Sequence, residues 1–129
     1  MDFEISSIES FFPKKKEEFK NIKLIEKTGI KRRYISSVEE NVISLAKKST
    51  EKILNKKKIK IDFLIFVTQT SPYKLPSASC VLQGKLKLSK EIFAIDINMG
   101  CSGFVYALSV AKGLFATNMN FKNGIVVCA

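Results

Sequence analysis

The chain alternates between segments with helical spacing and short, nearly continuous apolar runs. From Ser37 to Leu54 the positions Val38, Val42, Leu45, Ala46, Ser49 and Ile53 recur at spacings of three and four, with Lys47, Lys48, Glu51 and Lys52 between them. That period predicts an amphipathic helix with a serine cap. Ile61–Thr68 is apolar at almost every position and rich in branched and aromatic side chains, which predicts a strand buried on both faces. Ser71-Pro72 marks a turn, Pro76-Ser77 a helix cap, and Ala78–Leu86 a second, short helix. A second apolar run, Ile92–Ile97, predicts another buried strand and stops at Asn98-Met99-Gly100. Beyond Ser102, the residues Phe104, Ala107, Leu108, Ala111, Leu114 and Phe115 fall on one helical face, and Gly124–Ala129 reads as a further strand. Before all of these, Glu4–Phe12 reads as a β-like stretch, followed by a lysine-rich connector and a short helix or turn over Ile22–Ile30. Thr28-Gly29 marks a break, since glycine adopts positive φ without penalty. The order strand, helix, strand, helix, strand, helix, strand predicts an α/β fold with helices on a largely parallel sheet.

Length and composition narrow this picture without changing it. The 129 residues suffice for one domain with an apolar core. No apolar run approaches the roughly 20 residues that span a bilayer, and Met1–Ser10 is too acidic and too interrupted for a signal peptide. A cytoplasmic protein is therefore expected. The net charge of +10 comes mostly from lysine, with clusters at Lys14–Lys16 and Lys56–Lys58. Such runs are solvated faces or attract an anionic partner. No helix-turn-helix, zinc finger or aromatic-studded RNA motif accompanies them, so nucleic acid is not the expected partner. The sequence ends inside an apolar strand, Ile125–Ala129, so the chain is expected to be incomplete.

The candidate chemistry lies in cysteine. Cys80, Cys101 and Cys128 form no CxxC pair, and the chain has no histidine, so no zinc site is expected. Cys101 falls where the strand Ile92–Ile97 gives way to the next helix. Free N–H groups of a first helical turn, together with the helix dipole, stabilise an anion there and favour thiolate. Gly100 and Gly103 flank it, permitting a tight bend and close approach of a substrate. The plainer reading of a free cysteine is a small buried hydrophobe, and Cys80 and Cys128 are expected to be of that kind.

Three motifs, in order along the chain, are similar to those of a known family. Asp96-Ile-Asn-Met-Gly-Cys-Ser-Gly-Phe-Val-Tyr-Ala-Leu108 resembles the active-site segment of β-ketoacyl-acyl carrier protein synthase III. Thr28-Gly-Ile-Lys-Arg-Arg-Tyr34 is similar to that family's TGI-x-x-R segment. Leu75-Pro-Ser-Ala-Ser-Cys-Val-Leu-Gln83, following Thr68-Gln-Thr70, is similar to its PS-x-x-C-x-x-Q helix. The resemblance implies a thiolase-like fold, with residues 1–129 forming most of the first of two similar halves, a mixed sheet covered by helices, and a homodimer.

It further implies that Cys101 attacks an acyl-coenzyme A and that the acyl group then condenses with malonyl-acyl carrier protein, initiating fatty-acid synthesis. No bound cofactor and no metal are implied; acyl-coenzyme A is a substrate and the acidic acyl carrier protein a partner. Substrate-binding residues implied in the same way are Thr28, Lys27 and Leu75. The family places an arginine where Lys27 stands, an aromatic residue near Lys23, and commonly an alanine at Met99. Its second half supplies a histidine and an asparagine. Two other readings stay open: a related acyltransferase of a specialised pathway with another acceptor, and a non-catalytic subunit that binds a carrier protein through its lysine surface.

Overall fold

The computed structural model describes residues 3–129, so the first two residues of the Met1–Ser10 segment lie outside it. Three strands form a parallel sheet: β3 (Phe63–Val67) at the centre, β4 (Phe93–Ile97) on one side and β5 (Gly124–Cys128) on the other. Ile65 stands opposite both Ile95 and Val126, and Val67 opposite Ile97 and Cys128. One helix follows β3 and another follows β4, each crossing back over the sheet as parallel pairing requires.

The two-residue period of the strands divides the core in two. Leu64 and Phe66 face α2 (Val42–Lys57) and α3 (Ala78–Lys85), packing with Ile43, Ala46, Ala78 and Leu82. Phe63, Ile65 and Val67 face α4 (Gly103–Thr117), packing with Ala107 and Ala111. Because all five β3 residues are buried, the strand reads in sequence as a continuous apolar run. Burying each of its large side chains contributes roughly 1.5–3 kcal/mol.

Several local expectations are corrected. The long helix starts at Val42 rather than after Ser37, because Asn41 forms a capping box: its Oδ1 accepts from the Ser44 N–H at 2.9 Å while the Ser44 Oγ accepts from the Asn41 N–H at 3.0 Å. Ser37 instead closes a turn with Glu40, and Val38 is fully exposed.

Glu4–Phe12 forms no strand. It lies as an irregular strap over α2, where Lys52 Nζ donates to the Ser10 carbonyl at 2.6 Å, Lys56 pairs with Glu9, and Phe11 sits beneath the Lys48 and Lys52 ammonium groups. The strand falls instead in the lysine-rich connector. There β1 (Lys15–Glu18) pairs antiparallel with β2 (Arg32–Ile35) around α1 (Ile22–Thr28). Glu17 faces Arg33 across this ribbon and binds it at 3.2 Å. Cross-strand charge pairing thus outweighs the low strand propensity of lysine and glutamate. No helix among the described residues is long and apolar enough to cross a membrane.

Candidate active site

β4 ends at Ile97, and five residues carry the chain over the end of the sheet into α4. Met99 N–H turns back to the Ile97 carbonyl at 3.0 Å, and Gly103 N–H to the Gly100 carbonyl at 2.8 Å. Cys101 sits exposed in the turn closed by that second bond. Ser102, the N-cap of α4, makes no side-chain cap, and its carbonyl takes the Val105 and Tyr106 N–H groups. The N–H groups of Cys101, Ser102 and Phe104 have no hydrogen-bond partner among the described residues. Three unpaired donors at the positive end of a 15-residue helix suit an anion on or beside the Cys101 sulfur.

The flanking glycines bound the tight turn closed by the Gly103–Gly100 hydrogen bond. Neither has positive φ; among the described glycines that belongs to Gly29 alone, at 70°. Close packing demands Gly103, whereas Gly100 meets only the end of a flexible side chain. A Cβ on Gly103 would lie 2.4 Å from Val67 Cγ1 and 3.1 Å from Met99 Cβ, so glycine lets the start of α4 rest directly on the end of β3. A Cβ on Gly100 would lie 2.9 Å from Gln69 Oε1, in the loop that follows β3.

All three cysteines are exposed, which corrects the expectation of burial for Cys80 and Cys128. Cys80 is on the outer side of α3, whose inward positions are Ala78, Ser79 and Leu82. Cys128 ends an edge strand, where the packing it does have pushes its thiol above the ordinary range by desolvation.

Leu75 and Cys101 come to the same edge of the molecule. The loop carrying Leu75 leaves the C-terminal end of β3, the turn carrying Cys101 leaves that of the neighbouring parallel strand, and this is the edge where open α/β sheets bind ligands. Leu75 is 88% exposed. Thr28 and Lys27 lie elsewhere, at the end of α1 within the outer ribbon. Thr28 Oγ1 donates to the Leu24 carbonyl at 2.7 Å and accepts the Ile30 N–H at 3.2 Å. Helix α1 makes no extensive contact with β4 or α4. An apolar cleft of about 240 Å³ runs between the strap and α4, lined in part by Phe3, Phe63, Phe104 and Phe115; Cys101 is not part of it.

One polar residue was given no role from the sequence. Asp96 stands in an otherwise apolar strand, and its two oxygens accept the Ala78 and Ser79 N–H groups at 2.7 Å each, closing the start of α3. A carboxylate at a helix start has a plain electrostatic reason, and an acidic residue inside an apolar strand was the available clue.

The sequence model described as 3-Oxoacyl-[acyl-carrier-protein (ACP)] synthase III matches residues 95–129. A β-ketoacyl-[acyl-carrier-protein] synthase III of Acholeplasma laidlawii is 43% identical over 78% of this chain and 33% of its own length. That of the Wolbachia of Brugia malayi is 36% identical over 97% of this chain and 42% of its own length. The chain thus spans about a third to two fifths of the curated relatives it matches. The crystal structure of the Aquifex aeolicus 3-oxoacyl-[acyl-carrier-protein] synthase III superposes with a TM-score of 0.81 at 30% identity, over 94% of this chain and 42% of that one. Xanthomonas campestris OleA, at 18% identity and a TM-score of 0.82, shares the fold.

Proposed function

Because the chain is related in sequence and in fold to part of a β-ketoacyl-[acyl-carrier-protein] synthase III, we propose that Cys101 is the acyl-accepting nucleophile of such an enzyme. The observation that carries this reading is the exposed Cys101 sulfur at the start of α4, beside N–H groups that have no other partner among the described residues. The thiolate adds to the thioester carbonyl of an acyl-coenzyme A. The oxyanion of the tetrahedral intermediate takes hydrogen bonds from backbone N–H groups, including that of Cys101. Collapse breaks the carbon–sulfur bond to coenzyme A, whose thiolate leaves and takes up a proton, and the acyl group remains on Cys101.

In the second step a malonyl-acyl carrier protein loses carbon dioxide. Its carbanion attacks the acyl-Cys101 carbonyl, returning the cysteine thiolate and releasing a β-ketoacyl-acyl carrier protein, the product that starts a fatty-acid chain. The 129 residues hold no histidine, so stabilisation of that carbanion is assigned to residues outside them. In this reading residues 1–129 are most of the first of two similar halves, and the whole protein is a cytoplasmic homodimer.

Leu75 lies near the acyl pocket across the dimer interface, and Thr28 and Lys27 meet the nucleotide end of coenzyme A. Lysine at position 27 supplies charge for phosphate without the planar fork of arginine. Release of free coenzyme A from acetyl-coenzyme A tests the first step. The full-length chain is expected to release one equivalent rapidly and its Cys101→Ala variant none; equal release by both would overturn the assignment.

A further inference from the structure

Two side chains at the end of β3 touch the two glycines that flank Cys101. Val67 lies beneath Gly103, where a Cβ would meet its Cγ1 at 2.4 Å. Gln69, two residues on, lies against Gly100: a Cβ there would stand 2.9 Å from Oε1, 3.2 Å from Cδ and 3.3 Å from Nε2. Thr68, between them, turns to the opposite face, where it is 4% exposed and its Oγ1 accepts the Thr70 N–H at 3.1 Å. The bond from Thr68 N–H to the Ile97 carbonyl, at 3.2 Å, carries the pairing of β3 with β4 one residue past Val67. Gln69 thus leaves the sheet on the side of the Cys101 turn. All three heavy atoms of its carboxamide face Gly100, whose Cα is about 3.8 Å from that of Cys101. Gln69 is exposed, and its carboxamide has no hydrogen-bond partner among the described residues.

We propose that Gln69 is a specificity-determining residue for acyl transfer at Cys101: its carboxamide borders the acyl group on the Gly100 side of the sulfur and selects short acyl groups over longer alkyl chains. This inference rests on the reading of Cys101 as the acyl acceptor. An acetyl group leaves the amide open to water. A longer alkyl chain covers it, removing its water and offering no hydrogen bond in return, and an amide buried in that way is costly.

Three variants separate this role from plain support of the turn. Gln69→Met keeps the length of the side chain and removes both donor and acceptor, Gln69→Leu is a second apolar replacement, and Gln69→Asn keeps the amide on a shorter arm. With full-length chains, the rates of acylation of Cys101 by acetyl- and by butyryl-coenzyme A are followed on its peptide by mass spectrometry, beside its rate of alkylation by iodoacetamide.

For Gln69→Met the ratio of butyryl to acetyl transfer is expected to rise about five- to fiftyfold over wild type, the scale of a desolvated amide left without a partner, while alkylation stays within about twofold. Gln69→Asn is expected to keep the ratio within about threefold of wild type; should the methionine variant not fold, the leucine variant decides the matter. An unchanged ratio in the apolar variants, a parallel change of both acylation rates, or a rise in Gln69→Asn equal to that in Gln69→Met would overturn the role of Gln69 alone. A wild type that neither thioester acylates at Cys101 would overturn the acyl-acceptor reading and this inference with it.

Discussion

Gly103 rests on Val67 so closely that a methyl group in place of its hydrogen would stand 2.4 Å from Val67 Cγ1. Val67 is 4% exposed and branched at Cβ, which restricts its χ1 and leaves it little room to retreat. This contact sets where α4 begins over the end of β3, and hence where Cys101 stands.

Gly103→Ala is therefore expected to destabilise the protein by about 1–3 kcal/mol through overpacking, and to slow acetylation of Cys101 beyond what the lost stability explains. Adding Val67→Ala opens the space that the new methyl needs. The double variant is expected to regain acetylation relative to Gly103→Ala, a coupling readable in a double-mutant cycle of denaturation midpoints and acetylation rates. Strictly additive effects would contradict the contact.

The capping box at Asn41 gives a second prediction. Asn41→Ala is expected to cost about 1 kcal/mol, whereas Ser37→Ala, at the position the sequence suggests for the cap, is expected to stay within about 0.5 kcal/mol. Thermal or urea denaturation of the two variants measures the difference, and the acetylation of Cys101 in both should match wild type.

The strap over α2 should be sensitive to acid and salt. The hydrogen bond from Lys56 holds the Glu9 carboxyl below its ordinary value of 4.5, with the Lys56 and Lys52 charges adding to the effect. A depressed carboxylate stabilises the folded state above its unfolded pKa, and that contribution disappears as pH falls through the lower folded value. The ring NMR resonances of Phe11, which sits beneath the Lys48 and Lys52 ammonium groups, are expected to move toward their unfolded positions on acidification below about pH 4.5 and in high salt, which screens exposed pairs. Glu9→Gln should show the shifted resonances already at neutral pH. Unchanged resonances in that variant would mean that Phe11 and Phe12 hold the strap without the ion pair.

Much of the sheet and its helices is legible in the residues, because burial on both faces leaves an unbroken apolar run. Phe63–Val67 and the helix with Ala107 and Ala111 on its inner face are examples. The ribbon of Lys15–Glu18 and Arg32–Ile35 is not legible, since neither segment has apolar alternation and the pairing depends on charges that meet only in the fold. The strap fails as a strand for the complementary reason: its apolar residues Phe11 and Phe12 find lysine ammonium groups and the Tyr34 ring instead of a strand partner.

At the site, sequence singles out Cys101 through its position between a strand and a helix, but the neighbours that position it are remote. Val67 lies beneath Gly103 and Gln69 against Gly100, while Asp96 reaches Ala78 and Ser79 from another strand. Packing of this kind follows from topology, which a linear pattern of residues does not state.

The account turns on whether Cys101 takes up an acyl group, and peptide mass spectrometry of the full-length chain after brief incubation with acetyl-coenzyme A tests that most directly. The predicted result is one acetyl group on the peptide holding Cys101, absent from Cys101→Ala and not moved to Cys80 or Cys128, although all three thiols are exposed. An unmodified Cys101 in the folded full-length chain, or acetylation spread evenly over the three cysteines, would contradict it.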